Sequence, residues 1–356
     1  MSIPTSHKAA VVPEAGAQHT VVDRSLSPLA ADEVAIKVIA TAINPVDWKI
    51  RDYRIFLSTY PAVLGSDASG EIVSVGSSVT SHAVGDRVFF QGIIGQYDSS
   101  TFQQYVKIPA ALCAKTPKKV SDEQAATFWV AGMAVATGFY HKSGIGMAAP
   151  WDKDGDKVGK GKTAIILGGS SSVGQYAIQF AKLSGFEHIV TSSSPSHFDH
   201  LKTLGATEVL DRSKATSGDE FTKAIPSNNS VEFVYDSISS PSTQLLAVEI
   251  LQNLKGGKVI TVMPPDEKAV AQASTQSKAQ VQIVNILGMG SNPDYRYVSE
   301  PLASHIGGEN GYIAQGKIVL NRPHVVEGGL EKLEDALKAN KEGVSGVKVI
   351  IRPNEA

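Results

Sequence analysis

The chain has 356 residues, 33 Lys and Arg against 35 Asp and Glu, and a formal net charge of −2. Its length predicts about two domains with ample material for a core, and 42% hydrophobic with 19% charged residues excludes disordered and collagen-like classes. The balanced charge offers no field for a phosphate backbone, so no nucleic-acid role is expected, and the single cysteine, Cys113, excludes an intramolecular disulfide and any zinc site built on two or more thiolates. No apolar run approaches the ~18 residues of a membrane span. Met1 to Ala17 lacks the apolar core of a secretory signal, so the expectation is a cytoplasmic protein with no membrane partner.

The first third reads as β-rich. Val34–Ala40, Gly70–Gly76, Asp86–Phe90 and Tyr105–Ile108 are short β-branched or aromatic runs closed by glycines and polar turns, the pattern of a compact barrel-like or sandwich unit. Ser121-Asp122-Glu123-Gln124 opens a helix with a serine cap and acids in the first turn, and a second helix follows over 131–140. Residues 141–162 are rich in Gly, Lys and Asp and read as an exposed loop. Strands and helices then alternate: strand 163–167, helix 175–184, strand 189–191, helix 197–204, strand 208–210, strand 231–235, helix 243–254, strand 258–262. That alternation predicts βαβ crossovers and a parallel, doubly wound sheet, hence an α/β fold. Gln282–Leu287 reads as an edge strand, 329–341 as a helix and 347–351 as a closing strand.

The chemistry is expected at Gly168-Gly169-Ser170-Ser171-Ser172-Val173-Gly174, which follows the apolar strand ending at Leu167 and precedes a helix. Amides at a helix N-terminus, together with the helix dipole, can hold a pyrophosphate. Gly169 and Gly174 have the outer spacing of a dinucleotide fingerprint, with Ser171 in place of the middle glycine; the alternative is a tight strand–helix turn that binds nothing. NAD-binding proteins place an acid at the end of the next strand. Here that place reads Thr191-Ser192-Ser193-Ser194-Pro195-Ser196-His197, with no carboxylate. Ser192, Ser193, Ser194 and His197 are therefore candidates for a 2′-phosphate, favouring NADPH, although no strong cation is in view: Lys202 is the nearest after His197. A solvated serine turn is the alternative.

Gly65-Ser66-Asp67-Ala68-Ser69-Gly70 with Gly76 and Val79, then Gly85-Asp86-Arg87-Val88, Phe102-Gln103-Gln104-Tyr105 and Ala131-Gly132-Met133, resemble in order the landmarks of the medium-chain dehydrogenase/reductase superfamily. Asn44-Pro45-Val46-Asp47-Trp48-Lys49, Gly169–Gly174 and Gly343-Val344-Ser345-Gly346-Val347-Lys348 are most similar to its zinc-less members, fungal trans-acting enoyl reductases and quinone oxidoreductases. The resemblance implies a GroES-like catalytic domain from residues 1–127 and 306–356 and a Rossmann domain from 128–305, with the active site in the cleft between them. Zinc alcohol dehydrogenases of the superfamily carry a ligand cysteine where this chain has Asn44 and a ligand histidine where it has Ser66, so no metal is expected. Asp67 alone does not make a zinc site and also reads as a turn aspartate.

Without a Lewis acid the acceptor must already be electrophilic. The resemblance implies NADPH-dependent reduction of a carbonyl-conjugated alkene (enone, enal or enoyl) by hydride transfer to the β-carbon, then protonation of the enolate. A quinone reductase and an NADPH-binding regulatory protein with little turnover are the alternatives. By the same resemblance Pro45, Asp47 and Lys49 lie on a loop facing the nicotinamide. Lys49 is a candidate donor to the ribose or the enolate, or an exposed lysine. Tyr53 is near a tyrosine proposed as proton donor in relatives, with solvent water the alternative. Met263, Leu287 and Gly288 fall where relatives contact ribose and nicotinamide, and Lys348 where a basic residue meets the pyrophosphate. Ala134 stands where many relatives have a threonine, with Thr137 one turn on. Cys113 reads as inert packing. A monomer or a homodimer acting on a small molecule is expected.

Overall fold

The computed structural model describes residues 3–275 and 279–355. In chain order the elements are β1 (His7–Val12), β2 (Thr20–Arg24), β3 (Glu33–Ala42), α1 (Pro45–Tyr53), β4 (Ala62–Val63), β5 (Asp67–Val75), β6 (Arg87–Gln91), β7 (Tyr105–Pro109), β8 (Cys113–Lys115), α2 (Asp122–Ala125), α3 (Trp129–Tyr140), β9 (Thr163–Leu167), α4 (Ser172–Leu183), β10 (His188–Ser193), α5 (Phe198–Leu204), β11 (Glu208–Asp211), α6 (Gly218–Lys223), β12 (Phe233–Asp236), α7 (Pro241–Gln252), β13 (Gly257–Thr261), α8 (Glu267–Ala273), β14 (Val281–Asn285), α9 (Arg296–Ile306), β15 (Arg322–Val325), α10 (Leu333–Glu342) and β16 (Val347–Ile351). The chain divides into two units, the first comprising Met1–Val130, Met289–Gly316 and Leu320–Ala356, the second Ala131–Gly288 and Lys317–Val319.

The first unit is β-rich. Its seven-stranded sheet runs β15-β16-β3-β5-β6-β8 with β7 also on β3, and a smaller sheet runs β2-β1-β4. Apart from the parallel β15–β16 pair the ladders are antiparallel. Val34, Ile36, Val38, Ile72, Val88, Phe90, Val106 and Ile108 pack one core, the inward half of alternating strands. A second core forms where Leu333, Ala336 and Leu337 of α10 meet Val11, Ile43, Ile50 and Val349. Cys113, at the start of β8, is 5% exposed, and burial pushes its thiol well above the ordinary range. Met289–Gly316 belongs to this unit rather than to a second domain ending at 305, because α9 packs against β8 and the short turn Ala110–Leu112.

The second unit is the doubly wound sheet, in the order β11-β10-β9-β12-β13-β14, parallel throughout. β9 is buried along its whole length, as a central strand covered on both faces must be. The reversal of strand order lies between β9 and β12, and in open sheets of this kind ligands bind outside the carboxyl ends of the strands at that point. Residues 141–162 are not simply an exposed loop. His141 and Ala149 are buried, the Ala149 amide donates to Asp152 Oδ2 at 3.2 Å, and a Cβ on Gly155 would stand 1.7 Å from the Ala149 carbonyl oxygen. No helix among the described residues is long and apolar enough to cross a membrane.

Candidate functional site

In the second unit β9 delivers the chain into a turn that only glycine can make. Gly168 has φ +77, and a Cβ there would lie 2.3 Å from Ile238 Cγ1; one on Gly169 would lie 2.3 Å from Thr191 Oγ1. A Cβ on Gly174, in the first turn of α4, would lie 2.3 Å from the Gly168 carbonyl oxygen. The glycines let α4 start directly on the sheet, and Ser171 replaces the missing middle glycine with a cap: its Oγ accepts from the Gly174 amide at 2.9 Å. Ser171 Oγ also donates to Ser237 Oγ, which donates to the Leu167 and Gly168 carbonyls, tying the turn to the segment after β12. Ser170, Ser172 and Val173 are half-buried. Small residues, a strand end and a helix N-terminus of twelve residues fit a dinucleotide pyrophosphate.

At the end of β10 the serine run is less available than its sequence implies. Ser192 is 7% exposed and its Oγ accepts from the Gly168 amide at 3.4 Å, while Ser193 is 1% exposed with a hydroxyl that has no partner. Ser194 is half-buried, His197 is buried, and both belong to the turn leading into α5. β11 pairs with β10 so that Asp211 stands beside Ser193, and the next amide, Arg212 N–H, donates to the Ser193 carbonyl at 3.0 Å. Met263 follows β13 half-buried, Leu287 is 47% exposed, and Gly288 packs so closely on Ala134 that a Cβ would lie 2.7 Å from its amide nitrogen. Thr137, fully buried with an unpartnered hydroxyl, packs within α3.

In the first unit Pro45, Asp47 and Lys49 lie not on a loop but on α1. Asn44 is extended at the N-cap, Pro45 takes the first helical position, and Asp47 at the third accepts the Asn44 amide on Oδ2 at 2.7 Å. Asp47 is fully buried, and its Oδ1 accepts from Ser66 Oγ at 2.8 Å. Burial pushes its carboxyl up to about 7 against the pull of those two hydrogen bonds. Lys49 and Tyr53 are four residues apart, hence on one helical face. The Lys49 ammonium sits 5.4 Å from the Trp48 ring centroid, and burial lowers its pKa. Tyr53 is 60% exposed and meets Trp48 edge-on at 6.0 Å.

Asn44 and Asp67 converge on a lysine, while the Ser66 hydroxyl turns to Asp47. Lys348 on β16 is 4% exposed; its ammonium donates to Asn44 Oδ1 and lies 3.4 Å from Asp67 Oδ2. Asn44 Nδ2 donates to the same carboxylate oxygen at 2.9 Å, and Asp67 Oδ1 accepts from the Val130 amide at 2.7 Å. Burial pushes the Asp67 carboxyl up, with Lys348 opposing it. Lys348 and Asp47, which the sequence assigned to the cofactor, are thus both held by polar partners inside the first unit. Among the described residues no three His, Cys, Asp or Glu side chains form a metal-ligand set. An amide and a hydroxyl stand where a metal would need soft donors, and the remaining carboxylate already faces a cation.

Comparison with known proteins bears on both units. Residues 30–118 match the alcohol dehydrogenase GroES-like domain family, and residues 172–304 match the family described as zinc-binding dehydrogenase. The chain is 31% identical over 335 residues to the trans-enoyl reductase himH of Aspergillus japonicus, covering 90% of this chain and 89% of the relative. It is 26% identical to a chloroplast envelope quinone oxidoreductase homolog of Arabidopsis thaliana, covering 91% and 90%. A solved alcohol dehydrogenase superfamily protein from Novosphingobium aromaticivorans shares the fold with a TM-score of 0.75 at 22% identity, over 97% of this chain and 99% of that one.

Proposed function

The chain belongs to the medium-chain dehydrogenase/reductase superfamily and is an oxidoreductase, and from that premise we propose that it reduces carbonyl-conjugated C=C bonds with NADPH and without a metal. The observation that carries this reading is the Asn44–Asp67–Lys348 network. A reductase with an internal ammonium where a metal would need its ligands has no Lewis acid with which to ionise an alcohol. Its substrate must be polarised already, as an enone, enal or enoyl thioester is. When bound, NADPH supplies the hydride.

The protein's own residues do the rest. The Gly168–Gly174 turn and the first turn of α4 would hold the pyrophosphate, and Met263, Leu287 and Gly288 would contact the ribose and nicotinamide. Lys49 stabilises charge on the carbonyl oxygen through its ammonium, and Tyr53, on the same face of α1, donates a proton to the α-carbon. Asp47 holds the start of that helix. Turnover assays with enals, enones, enoyl thioesters and quinones, using NADPH deuterated at the transferring carbon, test the reading. Label on the β-carbon and activity that survives chelation are expected. Activity lost to a chelator and restored by zinc overturns it; reduction of quinones alone makes the protein a quinone oxidoreductase. Tight NADPH binding without turnover makes it a regulatory protein.

A further inference from the structure

We infer that Trp48 is the positioning residue of the proposed site, one indole that holds both Lys49 and Tyr53 in place. The assignment rests on the roles given to those two residues above and deepens that reading. Neither of them is placed by the protein interior. Tyr53 is 60% exposed at the last position of α1, and Lys49 is half-buried with a long side chain of many rotamers. The Trp48 ring meets both. The Lys49 ammonium stands over it at 5.4 Å, and the Tyr53 ring approaches edge-on at 6.0 Å and 76°. Both contacts need an aromatic ring: its face attracts an ammonium, and a second ring meets it favourably in the T-shaped arrangement. Burial lowers the Lys49 pKa, and the indole face opposes that loss of charge.

The indole is itself anchored. Trp48 packs against the core that α10 shares with α1. Its Nε1 donates to Asn340 Oδ1 on α10 at 3.0 Å, and the Lys341 ammonium covers the ring at 5.3 Å. Arg51 ties the two helices again, its Nη1 donating to both Glu334 oxygens at 2.8 and 2.6 Å. Among the other charges on α1 and α10, Lys341 and Arg51 pair with Asp52 at 2.7 and 2.8 Å, Asp335 with Lys332 at 3.0 Å and Lys338 with Glu342 at 3.8 Å. A ring fixed by its N–H and by the core has one orientation, and it passes that orientation to the ammonium and the phenol that touch it.

Steady-state kinetics of the purified protein with NADPH and an enone, measured across pH, test this. Trp48→Leu should lower kcat about tenfold and leave KM within about twofold, because the two contacts serve a charge and a proton that matter only in the transition state. Lys49 works as an ammonium, so activity falls as pH rises through its pKa, and without the ring that alkaline limb should move down by about half a unit. Trp48→Phe keeps a face and an edge and should restore most of kcat and of the limb, a rescue that bulk packing alone would not give. In a Trp129→Phe/Trp151→Phe protein Trp48 is the only indole. Its emission should titrate with the alkaline limb and lose that titration in Lys49→Met, a readout that stands even where Trp48→Leu does not fold. No turnover with any conjugated carbonyl, or an unchanged kcat in Lys49→Met and Tyr53→Phe, overturns the proposed chemistry and this assignment with it. Where those two variants lower kcat, the assignment alone is overturned by a Trp48→Leu that changes only KM or nothing, by a loss that Trp48→Phe does not rescue, or by an emission titration that Lys49→Met leaves intact.

Discussion

Replacing Lys348 by Met removes the only cation that faces the Asp67 carboxylate among the described residues. At the observed 3.4 Å and an effective permittivity of about 20, the direct attraction is about 5 kcal/mol before desolvation. With side chains only 4% and 0% exposed, water cannot compensate a lone charge. Lys348→Met should therefore cost about 3–5 kcal/mol of stability. The double variant Lys348→Met/Asp67→Asn should cost far less, because the Asn44 amide can turn over to meet the new amide, a coupling of at least about 2 kcal/mol. Urea unfolding followed by tryptophan fluorescence in a Trp151→Phe background isolates the effect, since Trp48 and Trp129 both lie in the first unit. The loss should also depend on pH. Without its cation the Asp67 carboxyl moves further up, so the folded state holds a proton that the unfolded state has released, and the loss deepens as pH rises. Equal destabilisation of the single and double variants would refute the view that these two groups depend on each other.

Three further outcomes follow from the same physics. Asp47 is held at about 7 against an ordinary 3.8, so between those values the folded state binds the extra proton and stability falls with rising pH. Asp47→Asn should flatten that slope, a change on the order of a few kcal/mol across the window, read from unfolding midpoints at stepped pH. Gly174→Ala forces a Cβ to 2.3 Å from the Gly168 carbonyl and should cost about 1–3 kcal/mol in a melting experiment while weakening NADPH binding. The Tyr235 hydroxyl is buried without a partner while its ring packs on Phe139, so Tyr235→Phe should leave stability unchanged or raise it by about 1 kcal/mol. A clear loss in chemical denaturation would show that the hydroxyl is bonded.

The parts of the fold that were legible in the sequence are those whose signal is local. β9, the glycine turn and α4 could be read because an apolar run, a glycine-serine stretch and a helical pattern follow one another within about twenty residues. α1 was misread for a reason its own cap makes plain. Asn44-Pro45 looks like a turn, yet proline at the first helical position and an acid at the third are helix-opening signals. α9 carries Pro301 inside it and gives no clean period. The buried network was out of reach altogether, because Lys348 and Asp67 are joined only by the strand order β16-β3-β5.

If the chain reduces conjugated alkenes as proposed, Cys113 has a chemical consequence. Unsaturated aldehydes and ketones alkylate thiolates, and the rate follows the thiolate fraction and access. The sole sulfhydryl here is enclosed at the head of β8 and kept protonated by its apolar surroundings. A thiol so enclosed resists alkylation by Michael acceptors, and intact mass after prolonged incubation with an enal should show that sulfur unmodified.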